Sequence, residues 1–557
     1  MCGIALVAGH QPSGMAFGQM LDAVSPRGEV EQVVAHARLL AGTHRLRIVD
    51  PADGAQPLTS PDGRWLLCYN GEIFNHRELR DELRTLGHQF RSGCDTEVVL
   101  AAFARWGEAA VRRFRGEFAF AVADVAAGRV YLARDPVGVK PLYWSVADGC
   151  LHVASEIKAL VPVGAPVNAV PPGCHGWSVA GADPDLVAYS GLATMGVRDP
   201  ATADAAAPIE GEAEAMALVR VALQESIRVR IDTEHKVGVI LSGGLDSSLL
   251  LLHVQALHPD CVAFTVGAPG SEDISYARRL TAELGVAHEV VEISPREIRL
   301  PEIKEAIRIS ELTEYGDIIN AVVSMPLFRR IAESGVKVVL TGDGSDELFG
   351  GYPMYQQAKP DQQRRLFLHK IANLGRTELQ RVDRVSMGYG VEARVPFLDA
   401  ALIELALRLP ERLRVRDGVE KWVLRQAFAD VLPGYVRTRP KNPMSHSSGL
   451  HERARIYKPL FARIHRSFGY DLHQPVRRDF SIQLARCGND LDLALASSLN
   501  ADDYSPREHA RDLVGAAKWN AASLVGTLAS STPGWPGGRA ATGGRGAAGG
   551  TTPDGSA

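Results

Sequence analysis

Residues 237–252 read VGVILSGGLDSSLLLL, an apolar run, a loop with two glycines and a second apolar run of helical character. Glycines allow backbone amides to approach an oxyanion closely, and the N-terminal end of a following helix carries a partial positive charge. Ser242, Ser247 and Ser248 add hydroxyl donors to the loop. Asp246 suits such an anion site if it holds a Mg²⁺ that accompanies phosphates. The alternative is a glycine-rich turn capped by serine and aspartate, but the complete strand, loop and helix pattern favours a phosphate site.

The sequence around this stretch alternates apolar strands with helices. The segments CVAFTVGA (261–268), AHEVVEI (287–293) and VKVVLTGDG (336–344) have the character of buried strands, and SYARRLTAELG (275–285) has helical spacing. Apolar strands that alternate with helices indicate a parallel, doubly wound α/β sheet. No GxxxxGK[ST] pattern occurs, so the loop is not a Walker A loop.

A second acidic turn follows another apolar strand, in VKVVLTGDGSDELFGGY (336–352). Asp343, Asp346 and Glu347 lie there among glycines. Ligands of parallel sheets bind at the carboxyl ends of the strands, so this turn is expected to face the first loop. Asp246 and Asp346 are then predicted to share a Mg²⁺. The alternative is an acidic loop exposed to solvent, which fits Glu347 better than Asp346.

The first part of the chain is rich in β-strand patterns. RWLLCYNGEIFNH (64–76) runs from a strand into a loop, and FAFAVADVAAGRVYLARDPVG (118–138) predicts two strands joined by a turn. HRELRDELRTLGH (76–88) and DTEVVLAAFARWG (95–107) have helical spacing and end near a glycine. Strands layered with a few helices predict an α+β domain.

The chain begins MCGIALVAG, with a cysteine directly after the first methionine. If Met1 is removed, Cys2 carries its thiol and a free α-amine on the same residue. An α-amine has an unperturbed pKa of about 7.7–8.0, so near neutral pH it can accept the thiol proton. This arrangement gives a thiol nucleophile with its own base. The alternative is a buried first strand that happens to carry a thiol.

Other residues of the N-terminal region suit the same site. Asn70 and Gly71 offer a side-chain amide and a backbone amide for a tetrahedral oxyanion. Glu72 and Asp95 offer carboxylates for a substrate ammonium, and Arg45 offers a bidentate contact to a carboxylate. Each residue alone could be a cap, a turn or a surface charge. With a nucleophile, the set predicts a site for an amino acid with a side-chain amide, which is glutamine.

These stretches resemble the glutamine-hydrolysing asparagine synthetases from Met1 to roughly residue 455. MCGIA, NGEIFNH, SGCDTEV, ARDPVGVKPLYW and ASEIKAL are similar to the glutaminase domain of that family, and LSGGLDSS, GDGSDELFGGY and GVEARVPFLD to its synthetase domain. The resemblance implies an α+β N-terminal-nucleophile sandwich of ααββ type, then an α/β doubly wound parallel-sheet domain of the ATP pyrophosphatase type with a helical C-terminal part. It also implies that glutamine is hydrolysed at Cys2 and that ammonia passes through a channel. ATP then adenylates aspartate with release of pyrophosphate, and ammonia forms asparagine with release of AMP.

The resemblance assigns roles to individual residues of this sequence. The residues assigned to catalysis are Cys2, Asn70, Gly71, Glu314 and Lys441. The residues assigned to glutamine binding are Arg45, Asn70, Glu72 and Asp95. The residues assigned to ATP are Leu241, Ser242, Gly243, Gly244, Asp246, Ser247, Val266, Gly342 and Asp343. The residues assigned to the acceptor are Glu314 and Asp317, and those assigned to Mg²⁺ are Asp246 and Asp346.

Two of these assignments concern the transfer of ammonia to the acceptor. The resemblance implies that Glu314 takes a proton from the attacking ammonium as a general base, and that Lys441 contacts the phosphates. A structural ion-pair network and a direct substrate role are both left open for Asp383, Arg384 and Glu392.

The motifs and composition predict five regions. They are a glutaminase domain at 2–160, a Pro-, Gly- and Ala-rich linker at 161–208, a synthetase domain at 209–460, a helical extension of unknown role at 461–528 and a disordered Gly/Ala-rich tail at 529–557.

Composition limits the partners. The 557 residues carry 61 Lys and Arg and 65 Asp and Glu, a net charge of −4, so neither nucleic acid nor a membrane is expected as a partner. The seven cysteines are scattered without a CxxC pair, which argues against a disulfide framework and a zinc site. These features predict a cytoplasmic protein, and a homodimer is left open.

Alternatives to aspartate amidation are a relative that amidates another carboxylate, or a non-catalytic regulatory or storage protein. The intact Cys2, Asp246 and Asp346 disfavour the latter.

Overall fold

The computed structural model describes most of the chain. The described residues are 1–179, 181–194, 208–359, 361–441, 450–477 and 479–496, with Ala510 and Val514. The tail predicted at 529–557 lies outside them. Within the described residues, no helix combines the length and apolar character needed to cross a membrane.

Two six-stranded antiparallel sheets form the N-terminal part, with the strand orders β10-β8-β9-β1-β3-β2 and β12-β11-β7-β6-β5-β4. The strands are β1 Cys2–Gly9, β2 Val30–His36, β3 Leu39–Arg45, β4 Leu58–Thr59, β5 Trp65–Ile73, β6 Gly116–Asp124, β7 Arg129–Arg134, β8 Tyr143–Ala147, β9 Cys150–Ala154, β10 Asn168–Ala169, β11 Cys174–Val179 and β12 Asp185–Ala188.

Alternation along the strands explains why the two sheets stack. Ile4 and Leu6 of β1 pack with Cys68 of β5 in a core between the sheets. Ala5 and Val7 point the other way and pack against a helical layer. Helices also cover the outer face of the second sheet. The layers therefore run helix, sheet, sheet, helix, and the predicted α+β sandwich is confirmed.

A parallel five-stranded sheet follows, in the order β15-β14-β13-β16-β17. Its strands are β13 Val237–Ile240, β14 Val262–Gly267, β15 Ala287–Glu292, β16 Val338–Leu340 and β17 Glu392–Arg394, and a separate hairpin pairs β18 Val415–Arg416 with β19 Val419–Glu420. Apolar clusters cover both faces of the parallel sheet, so the predicted doubly wound α/β domain is confirmed. Because β13 lies between β14 and β16, the strand order reverses there, and such a point is where open α/β sheets bind ligands.

The remaining regular structure is helical. The α-helices are Gly14–Ala23, His76–Thr85, Asp95–Trp106, Ile157–Leu160, Glu212–Arg230, Leu245–Leu257, Glu272–Leu284, Leu300–Ser310, Tyr315–Glu333, Ser345–Phe349, Pro353–Gln357, Gln363–Asn373, Glu378–Met387, Ala400–Arg408, Glu411–Arg414, Trp422–Ala427, Gly434–Arg437, Leu450–Arg455, Lys458–Ser467, Phe480–Arg486 and Leu491–Ala496. Short 3₁₀ turns span Ser25–Arg27, Gly107–Arg113, Val161–Val163, Gly191–Thr194, Pro295–Glu297, Leu374–Arg376, Pro396–Leu398 and Tyr470–Leu472.

The structure corrects the linker predicted at 161–208. Its described part contains three strands that belong to the sandwich, because β10 pairs with β8, β11 with β7 and β12 with β11. These strands are short and carry few large apolar residues, so their Pro- and Gly-rich surroundings hid them. Residues 195–207 lie outside the described residues.

The segment predicted as an extension at 461–528 contacts the N-terminal sandwich. Tyr470 packs in one apolar cluster with Phe17 and Leu160, and the backbone of Leu472 accepts a hydrogen bond from Val167 N at 3.1 Å. Its described part therefore ties the sandwich to the second half of the chain.

Candidate active sites

The predicted nucleophile lies at the start of β1. Cys2 is buried and pairs across the sheet with Arg45 of β3. Its backbone N–H donates to Asn70 Oδ1 at 3.1 Å, and its carbonyl accepts from Arg27 Nε at 3.2 Å. Burial raises the pKa of the Cys2 thiol, although the N-terminal ammonium and Arg45 oppose that shift. The structure thus fixes the backbone on both sides of the thiol.

Asn70 and Gly71 stand next to this thiol on β5. Asn70 is fully buried, and its Nδ2 has no hydrogen-bond partner among the described residues. A buried amide donor without a partner is costly unless a ligand supplies the acceptor, and an oxyanion is such an acceptor. A Cβ at Gly71 would lie 2.5 Å from the carbonyl oxygen of Glu117, so the close strand pairing requires glycine there.

The predicted carboxylate contact is held in place by the loop after β3. Arg45 Nη2 donates to the carbonyls of Val49 at 2.9 Å and Asp50 at 2.7 Å. A Cβ at Gly54 would lie 2.2 Å from the same nitrogen. The guanidinium is therefore oriented by backbone before any substrate binds.

The two predicted ammonium contacts differ in their surroundings. Asp95 begins a helix, and its Oδ2 accepts from Tyr69 Oη at 2.7 Å and Ile73 N at 3.1 Å. Glu72 is buried and lies 3.4 Å from Arg394 Nη2 of the parallel-sheet domain. Burial is the main cause that raises the pKa of Glu72 well above its usual range, and the nearby charge of Asp95 adds to it. Arg394 opposes this shift. Glu72 thus connects the N-terminal site to the second domain.

A second candidate site is a cavity of about 210 Å³ between the ends of β13 and β16. Eight of the residues assigned from the sequence line it: Ser242, Asp246, Ser247, Asp317, Gly342, Asp343, Asp346 and Lys441. The expectation that the two loops meet at the carboxyl edge of the sheet is confirmed by this cavity.

The loop after β13 is shaped by its small residues. Gly243 has a φ of +68°, and a Cβ there would lie 2.6 Å from Tyr276 Cβ, so both the backbone and the packing require glycine. Ser242 N donates to Ser247 Oγ at 3.2 Å, and Gly244 N donates to Ser242 Oγ at 3.3 Å. These bonds turn the chain sharply into the next helix.

Asp246 and Asp346 meet at a lysine that no sequence motif indicated. Lys421 Nζ lies 2.5 Å from Asp246 Oδ2 and 2.6 Å from Asp346 Oδ1. Lys441 Nζ lies 2.7 Å from Asp346 Oδ2, and Ser345 Oγ donates to Asp246 Oδ1 at 2.7 Å. Burial opposes ionisation of Asp346, but the two lysines hold its pKa well below the usual range. The two carboxylates therefore share one ammonium.

The approach of this lysine depends on a glycine. A Cβ at Gly351 would lie 1.7 Å from Asp346 Oδ1 and 2.5 Å from Lys421 Cε. Lys421 itself has a φ of +56°, an uncommon backbone conformation for a residue with a side chain. A lysine before an apolar helix carries no recognisable motif, so only the folded structure identifies it.

The other residues assigned to ATP or to the acceptor do not line this cavity. Val266 is buried in the apolar core at the end of β14, and Leu241 is buried at the end of β13. Glu314 precedes the helix Tyr315–Glu333 and pairs with Arg376 Nη1 at 2.8 Å. The structure therefore brings Asp317, but not Glu314, to the cavity wall.

A buried ion-pair network joins the two halves of the chain. Arg27 donates to both carboxylate oxygens of Asp383, at 2.8 and 3.0 Å, and to Glu156 at 2.7 Å. The α-ammonium of Met1 lies 3.1 Å from Glu392 Oε2. These contacts favour the ion-pair interpretation that the sequence left open for Asp383 and Glu392.

Comparisons with known proteins agree with this two-part architecture. Residues 1–172 match the family model of a glutamine amidotransferase domain, and residues 218–366 and 356–480 match that of asparagine synthase. Asparagine synthetase B [glutamine-hydrolyzing] of Escherichia coli (strain K12) is 33% identical over 435 residues, covering 75% of this chain and 76% of the relative. Asparagine synthetase [glutamine-hydrolyzing] 3 of Arabidopsis thaliana is 34% identical over 434 residues, covering 73% of this chain and 71% of the relative.

A third relative extends the similarity over more of both chains. Asparagine synthetase [glutamine-hydrolyzing] of Sandersonia aurantiaca is 31% identical over 482 residues, covering 81% of this chain and 87% of the relative. The chain therefore belongs to the family of glutamine-hydrolysing asparagine synthetases.

Proposed function

We propose that this protein makes asparagine from aspartate, glutamine and ATP, and releases glutamate, AMP and pyrophosphate. The observation that carries the proposal is the presence of two complementary sites on one chain. One holds a buried thiol beside an unpartnered amide donor, and the other holds paired carboxylates and lysines where the order of parallel strands reverses.

Glutamine hydrolysis is assigned to the site at Cys2. Sγ attacks the side-chain amide carbon of glutamine, and the oxyanion accepts hydrogen bonds from Asn70 Nδ2 and Gly71 N–H. The thiol proton passes to the α-amine that removal of Met1 exposes, and from there to the leaving ammonia. Water then hydrolyses the thioester to glutamate. Arg45 holds the substrate carboxylate throughout.

The ammonium of glutamine is assigned to Asp95 and Glu72. Asp95 Oδ2 is fixed by two donated hydrogen bonds, and the Cys94 thiol donates to Asp95 Oδ1 at 3.5 Å, so this carboxylate is oriented before a substrate binds. Glu72 contacts Arg394 of the synthetase domain, so this residue links the glutamine site to that domain.

Aspartate activation is assigned to the cavity at the parallel sheet. The β-carboxylate of aspartate attacks the α-phosphorus of ATP. This step forms β-aspartyl-AMP and releases pyrophosphate. Lys421 and Lys441 supply positive charge where the pyrophosphate oxygens develop negative charge. Ser242, Ser247 and the backbone of the loop after β13 supply hydrogen-bond donors for the phosphates.

The donor set at this cavity also fits Mg²⁺. Asp246 and Asp346 offer carboxylate oxygens, and Mg²⁺ is commonly held by one or two carboxylates with phosphates and waters completing its shell. The Lys421 ammonium contacts both carboxylates, so Mg²⁺ would share their oxygens with this lysine. When bound there, Mg²⁺ would neutralise phosphate charge.

Ammonia then attacks the activated carbonyl, and AMP leaves. Asp317 lines the cavity and is assigned to the acceptor, while Glu314 is assigned as the base for the attacking nitrogen. Arg376 pairs with Oε1 of Glu314, so the proton is assigned to Oε2.

A product assay tests the proposal. Purified protein receives glutamine, ATP and Mg²⁺, with or without aspartate, and asparagine, AMP, pyrophosphate and glutamate are quantified together. Asparagine, AMP and pyrophosphate that form only with aspartate support the proposal. Glutamate without asparagine or AMP would point to a different acceptor carboxylate.

A further inference from the structure

Cys2 has a side-chain partner that no motif indicated, the carboxamide of Gln56. Gln56 Nε2 lies 3.5 Å from Cys2 Sγ, which is within the range of an N–H···S hydrogen bond. Gln56 is buried and belongs to the loop that runs from β3 to β4. It therefore reaches the thiol from a segment that carries none of the residues assigned to the site.

The orientation of this carboxamide is determined by its partners. Tyr69 N donates to Gln56 Oε1 at 3.1 Å, and because a backbone N–H can only donate, this side of the amide must be the oxygen. Nε2 then faces the other way, with one hydrogen towards Thr96 Oγ1 at 3.0 Å and one towards Cys2 Sγ. If the amide were flipped, Nε2 would face the backbone N–H of Tyr69, and two hydrogen-bond donors would oppose each other.

The backbone of Gln56 is anchored as firmly as its side chain. Gln56 N donates to Gln32 Oε1 at 2.9 Å, and Thr43 Oγ1 donates to the Gln56 carbonyl at 2.6 Å. A donor held at this many points keeps its position while the sulfur changes its bonding. Such preorganisation is what a catalytic site requires of the groups around its nucleophile.

We propose that Gln56 is a positioning residue of the glutaminase site, which holds the Cys2 sulfur in its attacking rotamer and donates a hydrogen bond to the thiolate. The inference rests on the proposed glutaminase function. A hydrogen bond to a charged acceptor is stronger than one to a neutral acceptor, so the contact favours the thiolate over the thiol. This effect opposes burial, which raises the pKa of Cys2.

Other charged and titratable groups also face Cys2. They are the N-terminal ammonium, Arg27 at the Cys2 carbonyl, Arg45 on β3, Cys68 on β5 and Asp95 at the start of a helix, and the Leu46 backbone also favours the thiolate. The N-terminal ammonium belongs to Met1 in this structure and to Cys2 itself once Met1 is removed. All of them are retained when only residue 56 is changed. A shift in the titration of Cys2 between such variants therefore reports on Gln56.

Two substitutions separate the sulfur contact from the rest of the residue. Gln56→Leu keeps most of the volume and removes the donor. Gln56→Glu keeps the volume and the acceptor for Tyr69, and places a carboxylate beside the sulfur. Thr43→Val is the matched control, because it removes a hydrogen bond that anchors the loop and leaves the Gln56 side chain intact.

The first readout is the rate at which iodoacetamide alkylates Cys2 as a function of pH, with Cys2 identified by mass spectrometry of its peptide. The pH at which the alkylation rate is half-maximal is expected to rise by about 0.5–1 pH unit in Gln56→Leu and by more in Gln56→Glu. In Thr43→Val this midpoint should stay at the wild-type value. The second readout is glutaminase kinetics. In Gln56→Leu, kcat for glutamine hydrolysis should fall about tenfold, while KM for glutamine stays within about twofold of the wild-type value. Synthesis of asparagine from added ammonia should be retained.

Equal alkylation midpoints in wild type, Gln56→Leu and Gln56→Glu would overturn the proposal and make Gln56 a loop anchor only. If Gln56→Leu does not fold, Gln56→Glu decides the question, since it preserves the contact with Tyr69. Absence of glutaminase activity in the wild type would defeat the proposed function instead, and the alkylation midpoints would still test the contact between Gln56 and Cys2.

Discussion

Replacement of Lys421 by methionine is expected to destabilise the parallel-sheet domain through a charge imbalance. The Lys421 side chain is 1% exposed and bridges Asp246 and Asp346, whose side chains are 11% and 13% exposed. Methionine fills similar space but carries no charge. Asp346 then keeps Lys441, whereas Asp246 keeps the hydroxyl of Ser345.

The size of the effect follows from these exposures. Removal of one partner from a buried ion pair costs about 3–5 kcal/mol, and slight solvent access to the two carboxylates places Lys421→Met near the lower value. For a domain of this size, about 3 kcal/mol lowers the unfolding temperature by roughly 6–12 °C. Lys441→Met is the matched control. Its side chain is 28% exposed and the bridge between the carboxylates survives, so about 1 kcal/mol is expected.

The loss of stability in Lys421→Met should also depend on pH and on Mg²⁺. The lysines depress the pKa of Asp346 in the folded state, so their stabilisation is present above the unfolded pKa of about 3.9 and is lost as pH falls through the folded value. The gap in unfolding temperature between wild type and Lys421→Met should therefore be larger at pH 7.5 than at pH 3, because at pH 3 part of this stabilisation of the wild type is already lost. Millimolar Mg²⁺ should narrow the gap because it supplies a cation to the same oxygens.

Differential scanning calorimetry at both pH values, with and without Mg²⁺, measures these differences. An unfolding temperature of Lys421→Met within about 2 °C of wild type at pH 7.5 would show that the bridge between the two carboxylates does not stabilise the domain. A large deficit that neither low pH nor Mg²⁺ reduces would show that lost packing, rather than charge, is responsible.

Three further outcomes are expected. Cys2→Ala should abolish synthesis from glutamine and leave synthesis from ammonia intact, as measured by asparagine formation with each nitrogen source; equal loss of both would contradict the division into two sites. Asp246→Asn should remove pyrophosphate release while glutamate formation from glutamine persists, and full synthesis in this variant would discredit its place at the phosphates. Gly71→Ala should lower glutaminase activity at least tenfold, because the added methyl would lie 2.5 Å from the carbonyl oxygen of Glu117, and a wild-type rate would show that the strands adjust without cost to the oxyanion site.

The fold was largely predictable because its signals are local. Apolar strands that alternate with helices indicate a parallel sheet, and the glycine loop after β13 marks its ligand edge. The same logic places Asp246 and Asp346 together without knowledge of the packing. Strands β10, β11 and β12 were missed because short strands in a Pro- and Gly-rich region carry no clear period. They are stabilised by pairing of β10 with β8, of β11 with β7 and of β12 with β11.

The site residues that the sequence did not reveal share a different property. Lys421 lies 175 positions from Asp246 along the chain, and Gln56 lies 54 positions from Cys2. Neither belongs to a pattern that expresses its role, because the role depends on a contact made only after folding. Motifs therefore indicate site residues that lie together along the chain better than site residues that distant segments contribute.

The helix Glu378–Met387 shows how the two sites are held in register. Arg381, on this helix, lines the cavity at the parallel sheet, and two residues later Asp383 binds Arg27, whose Nε donates to the Cys2 carbonyl. Burial opposes ionisation of Asp383, but Arg27 holds its pKa at about 2, so this ion pair persists at any pH at which the enzyme would work. Buried ion pairs add little net stability, yet they tolerate only the arrangement that satisfies them. A shift of one domain against the other would leave buried charges unpaired, and the distance between Cys2 and the cavity is therefore defined by charge as well as by packing.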